Sequence, residues 1–147
     1  AVARVDYYDI ETKIQSALTG AAALAGVTVE IESELLFSME RTPWIGVYFD
    51  RRSPADQSLS AGQRTKYRLY FSVWCWEFNL DPVTAIQRRD DLVGKAEVAL
   101  MGDRTLSGTV RFSWLEGGQM PSGRLPEQTG YVSGGEIILV AEAEATT

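Results

Sequence analysis

From Asp6 onward, Ile10, Ile14, Ala17, Leu18 and Ala21 recur at helical spacing and form one apolar stripe, the pattern of an amphipathic helix. Asp6 stands where an N-cap is needed. Asp9 and Glu11 place negative charge in the first turn, where the helix dipole favours it. Gly20 and the alanines up to Ala25 blur the end, and Gly26 is the expected stop, so the helix is predicted over 6–25. The period then falls to two. Val27, Val29 and Ile31 alternate with Thr28, Glu30 and Glu32, which predicts a half-buried strand. A mixed stretch ends at Pro43. A second strand follows over 44–50, with Ile45, Val47 and Phe49 on one face and Trp44, Gly46 and Tyr48 on the other.

Residues 51–63 show no apolar period and contain Pro54, Gly62 and several serines, so they are expected to form a long hairpin loop. The longest predicted strand spans 64–78. Tyr67, Leu69, Phe71, Val73 and Cys75 line one face. The opposite face begins with Lys66 and Arg68 and turns aromatic at Tyr70, Trp74, Trp76 and Phe78. A strand apolar on both sides is covered twice, by its own chain or by a partner. Asp81-Pro82 is a helix start, a capping residue followed by proline at the first helical position. The helix is predicted to turn Val83, Ile86, Val93, Ala96 and Leu100 inward and to stop at Gly102. A further strand puts Val110, Phe112 and Trp114 on a core-facing side, a second long loop covers 117–130, and a closing strand runs over 136–145. The order α-β-β-β-α-β-β predicts one α+β domain over residues 1–147. Its sheet is mostly antiparallel, of about five strands, with both helices packed on one face.

With 45% hydrophobic and 23% charged residues the composition is that of an ordinary globular domain. No apolar run approaches the ~18 residues of a membrane span. The N-terminus lacks a basic flank leading into an apolar stretch, so no signal peptide is expected. Acidic residues outnumber basic ones, 20 to 14, for a net charge of −6. No basic stripe is present, which argues against a tight sequence-specific grip on DNA. Histidine is absent, which removes Ser-His-Asp triads, Cys-His dyads and His-based zinc sites. Cys75 is the one cysteine, so no intrachain disulfide can form, and within 72–76 it reads as a small buried hydrophobe.

The remaining candidates are few. Gly117-Gly118 and Gly134-Gly135 lack P-loop spacing and read as turn glycines. Asp90 and Asp91 are adjacent on a helix, point in different directions and read as a solvated face. Glu30 with Glu32, and Glu142 with Glu144, share strand faces, but nothing nearby completes a cation's oxygen shell. Arg51-Arg52 and Arg88-Arg89 are pairs able to meet a phosphate or a neighbour's carboxylate. Trp74 and Trp76 point away from the helices, where an interface anchor would sit, whereas Trp114 is expected in the core. No residue is assigned to catalysis, to a metal or to a cofactor.

Taken together, the opening helix, the Val-Thr-Val-Glu-Ile strand at 27–31, and Pro43-Trp44-Ile45-Gly46-Val47-Tyr48 begin a familiar series. The long strand at 65–78, the helix begun at Asp81, and the ending Gly134-Gly135-Glu136-Ile137-Ile138-Leu139-Val140 complete it. The whole chain resembles the tail terminator (tail completion) proteins of long-tailed, siphovirus-type phages. That resemblance implies a non-enzymatic virion protein of the tail, assembled in the host cytoplasm. Its homo-oligomer would be a hexameric ring that caps the tail tube, ends its polymerisation and meets the head–tail connector, with DNA passing through the lumen. A ring closes through two unlike patches. The candidates for them are the Trp74/Trp76 face and the 51–63 loop with Arg51, Arg52, Asp56 and Gln57. Glu30, Glu32, Glu142 and Glu144 are candidates to face the lumen and repel phosphate. The rival readings are another head–tail connector, a tail tube subunit, or a small histidine-free hydrolase or ligand-binding domain.

Overall fold

The computed structural model of the chain describes residues 5–32, 43–56, 64–124 and 130–146. In chain order it contains α1 (Tyr7–Thr19), a 3-10 turn (Ala22–Leu24), β1 (Thr28–Ile31), β2 (Trp44–Asp56) and β3 (Arg64–Asn79). These are followed by α2 (Pro82–Met101), β4 (Phe112–Glu116), β5 (Ser122–Arg124) and β6 (Tyr131–Thr146). The six strands form one sheet in the order β1-β2-β3-β6-β4, with β5 also paired to β6. Among the described residues only the β1–β2 pair is parallel; the other pairings are antiparallel. The fold is α+β, and both helices pack on the same side of the sheet.

Local signals explain both helices. The Asp6 carboxylate accepts the Asp9 N–H at 3.1 Å and starts α1. At Asp81 the carboxylate accepts both the N–H and the hydroxyl of Thr84, with Pro82 at the first position of α2. Helix α1 stops at Gly20, earlier than the apolar stripe suggests, and the alanines that follow make the 3-10 turn instead. Gly26, at φ +85°, then redirects the chain into β1. The core lies between the helices and one sheet face. Ile10, Ile14 and Leu18 of α1 and Leu92, Ala96 and Leu100 of α2 meet Leu69, Phe71, Val73 and Cys75 of β3. Burying each of the Ile, Leu, Val and Phe side chains among them contributes about 1.5–3 kcal/mol of transfer free energy.

Four expectations are corrected by the structure. Residues 51–56 continue β2 as a paired strand; a shift in register between Phe49 and Arg51 carries the polar residues into the ladder opposite β3. Gly134 and Gly135 lie inside β6, opposite Trp76 and Cys75, and are not turn residues. The phase of β4 is the reverse of that expected. Ser113 is buried on the helix side, while Phe112 and Trp114 face away from the helices beside Glu142 and Val140. On α2, Val83 and Ile86 are exposed, and Ala85, Arg89 and Leu92 take the inward positions.

Candidate association surface

Among the described residues no helix packs on the sheet face opposite α1 and α2, and the alternation of β3 and β6 determines what it displays. Even-numbered residues of β3 point there, from Lys66 and Arg68 at one end to Trp74, Trp76 and Phe78 at the other. In β6 the matching positions run from Glu144 and Glu142 to Glu136, Gly134 and Val132. The face therefore has an aromatic end and a mixed-charge end.

Glycines shape the aromatic end. The Trp76 ring lies against Gly134, so that a β-carbon there would run into it, and the Phe78 ring covers Gly130 in the same way. The Tyr48 ring covers Gly46 of its own strand. Rings packed over glycines hide the bare backbone. Trp74 stacks on Trp76 with centroids 5.2 Å apart and planes 12° from parallel, and Phe112 stacks on Trp114 at 5.3 Å. Trp74, Trp76 and Trp114 are half-buried and Phe112 is 44% exposed. Trp44, by contrast, is fully buried.

At the other end charges are matched within the chain. One Arg111 nitrogen lies 3.8 Å from a carboxylate oxygen of Glu142 and 3.8 Å from one of Glu144. Lys66 and Arg68 stand opposite Glu144 and Glu142 in the β3–β6 register. Between the two ends Glu136 accepts the Ser72 hydroxyl at 2.9 Å and the Gln119 N–H at 3.3 Å.

The other sequence candidates separate. The Arg51 guanidinium sits 4.0 Å over the Tyr70 ring on this same face. Arg52 turns to the helix side, donates to the Tyr7 hydroxyl at 2.5 Å and lies over the Tyr7 and Tyr67 rings. Asp56 is the last residue of β2, in register with Lys66. Gln57 lies outside the described residues. Glu30 pairs in register with Gly46, but at Glu32 the backbone turns to φ +50° and the two glutamates no longer share a strand face. Asp90 and Asp91 are exposed, paired with Arg89 and Lys95 respectively. The pair Arg88-Arg89 is divided: Arg88 is exposed, and Arg89 is buried and donates to the carbonyls of Met120 and Gly134 at 3.2 and 3.1 Å.

Chemistry elsewhere is muted. Burial pushes the Cys75 thiol up to about 12, with the Glu97 charge adding to the effect, so the thiolate is scarce at neutral pH. Burial also raises the Glu77 carboxyl; Asp91 adds to the rise and Arg88 and Lys95 oppose it. Among the described residues no three Cys, Asp or Glu side chains come together as a metal site. No described helix is long and apolar enough to cross a membrane.

No protein-family model matches the sequence, and no curated protein matches it. Among solved structures, the fold is similar to a chain in the virion of a native gene transfer agent particle. The two are 13% identical, with a TM-score of 0.38, over 94% of this chain and 92% of that one. Superposition at this level transfers neither subunit arrangement nor role.

Sequence reasoning missed two parts of the surface. Phe112 and Trp114 escaped notice because the phase of β4 is set by the irregular turn before it. On α2, Val83, expected inward, is 59% exposed, and Val98 and Met101 are 73% and 57% exposed; Val98 lines a groove of about 660 Å³ between α2 and the 3-10 turn.

Proposed function

We propose that this chain is a structural protein of a phage-type virion, acting as a tail terminator. Copies close into a hexameric ring that caps the tail tube and offers the surface for the head–tail connector. The observation that carries this reading is the sheet face opposite the helices, on which Trp74, Trp76, Phe112 and Trp114 sit half-buried or exposed with no described helix packed over them. The sequence resemblance in element order supports the same reading. Aromatics that are stacked and rigid lose little entropy when a partner covers them, and so make good interface anchors. Ring closure joins unlike patches; the apolar outer row of α2, on the opposite side of the molecule, is the counter-patch. The reading includes no catalytic step, and DNA crosses the lumen without being read.

Purified protein is expected to give closed rings in negative stain and a multiple of the protomer mass in light scattering. Trp74→Ala/Trp76→Ala is expected to give folded monomers. Because Trp76 also covers Gly134, Phe112→Glu on the exposed rim serves as a second variant that leaves the sheet intact. Ring mass unchanged in both variants would refute the role of this face. Indefinitely long tubes from the wild type would favour a tail tube subunit instead.

A further inference from the structure

We propose that the groove beside Gly94 on α2 seats the Arg111–Phe112 corner of a second copy of this chain. The inference rests on the ring reading and supplies the contact that joins its subunits. Gly94 is where the case begins. A glycine inside a helix lowers stability, because it has more backbone freedom to lose than any other residue. Gly134 and Gly135 of β6 have their reason inside the chain, in the Trp76 ring and Val93. Gly94 has none: it is exposed in the middle of α2, and no neighbouring atom of the described residues stands within 4 Å of where its β-carbon would be.

What the missing side chain leaves is open space. Ala22 and Ala23 of the 3-10 turn face Gly94 and Val98 across the groove of about 660 Å³, and Asp90 and Asp91 also line it. That volume is in the range of sites that hold a drug-sized ligand, so it has room for an aromatic side chain and its neighbour. The groove also presents negative charge. The Asp90 side chain is 57% exposed against 9% for its partner Arg89, and Asp91 is 64% exposed against 43% for Lys95.

The chain's own surface supplies the complement. Phe112 is an exposed aromatic on β4, the last strand along the sheet, and the Trp114 ring braces it. Beside it the Arg111 side chain is 49% exposed, whereas the Glu142 and Glu144 side chains that it meets are 16% and 18% exposed, so this corner presents a cation. An apolar knob with a cation at its flank thus matches an apolar groove with carboxylates at its rim. Knob and groove lie on opposite sides of the molecule, so a chain cannot join its own pair. Each copy offers its knob to one neighbour and its groove to the other, the head-to-tail contact that closes a ring.

The test mixes two variants of the full chain and reads mass by light scattering. Phe112→Glu spoils the knob, and Gly94→Leu/Val98→Glu fills and charges the groove; circular dichroism checks that both fold. Each variant alone is expected to weaken association by about 30-fold or more. An equimolar mixture keeps one intact knob and one intact groove, and is expected to stop at a species of twice the protomer mass. Ring mass unchanged in the groove variant, or a mixture that stays monomeric, would overturn this contact while wild-type rings leave the ring reading standing. Wild type that is monomeric at every concentration would overturn both. Should Gly94→Leu/Val98→Glu fail to fold, Asp91→Arg takes its place in the mixture and is read in the same way.

Discussion

At the scale of single residues, the molecule is tightest around Gly135. Cys75 lies opposite it in β3, and a β-carbon at Gly135 would meet Val93 Cγ2 of α2, with Met120 Sδ at 3.0 Å and Arg89 Cδ at 3.3 Å. The requirement here is for space, since the backbone needs no left-handed conformation. Gly135→Ala is expected to cost about 1–3 kcal/mol by pushing α2 off the sheet. The cost should appear as a lower urea midpoint with an unchanged slope. Gly94, exposed in the middle of α2 with nothing near its missing β-carbon, is the control. Gly94→Ala is expected to stabilise the protomer by up to about 1 kcal/mol. If both substitutions shift the midpoint in the same direction, the packing account of Gly135 is wrong.

Among the elements, α2 and the segment before β6 depend on Arg89. Its guanidinium spans from Asp90, at 2.7 Å, to the Met120 and Gly134 carbonyls, and so joins the helix to the 119–121 stretch. That stretch in turn accepts the Gly134 and Glu136 amides at 2.8 Å each. Hydrogen bonds to a charged group contribute about 1.5–3 kcal/mol, and Arg89→Leu is expected to lose about that much. Hydrogen exchange at Gly134 and Glu136 should rise well above any change in α1, whereas a uniform rise would mean that the segment does not open on its own. Much of this architecture was legible in sequence because its causes are local: Asp81-Pro82, the alternation of β3, and the aromatics that place Trp74 and Trp76 on the outer face. The rest was not local. A polar run at 51–56 reads as loop until β3 is there to pair with it. Leu106, Ser107 and Gly108, all at positive φ, reset the phase of β4, while Val110 is buried just ahead of the strand. An arginine on a charged helix reads as solvated until carbonyls converge on it. Glu11 reads as first-turn charge, yet it falls on one helical stripe with Ile14 and Leu18 and is buried with them.

For the whole molecule, the aromatic candidates share one face with Glu30, Glu142 and Glu144, and this narrows what each can do. The aromatic end is suited to contact with a neighbouring copy. In the proposed ring the charged end is the part of the face left for a lumen, and it is not a bare acidic wall, because Arg111 lies within 3.8 Å of both Glu142 and Glu144 and because Lys66 and Arg68 stand opposite them. The three cations outnumber these two glutamates, so this end carries no strong repulsion of DNA, and removing two negative charges should make it clearly attractive. Glu142→Gln/Glu144→Gln keeps the shape, lowers the net charge from −6 to about −4, and removes the two carboxylates beside Arg111. Ring mass is expected to be unchanged. Fluorescence anisotropy should detect duplex DNA binding to the variant at low salt and none to wild type. The binding should disappear near physiological ionic strength, where the Debye length is about 8 Å and few phosphates are engaged. A variant that ignores DNA at every salt concentration would remove these glutamates from the lumen and leave Glu30 as the acidic candidate on this face.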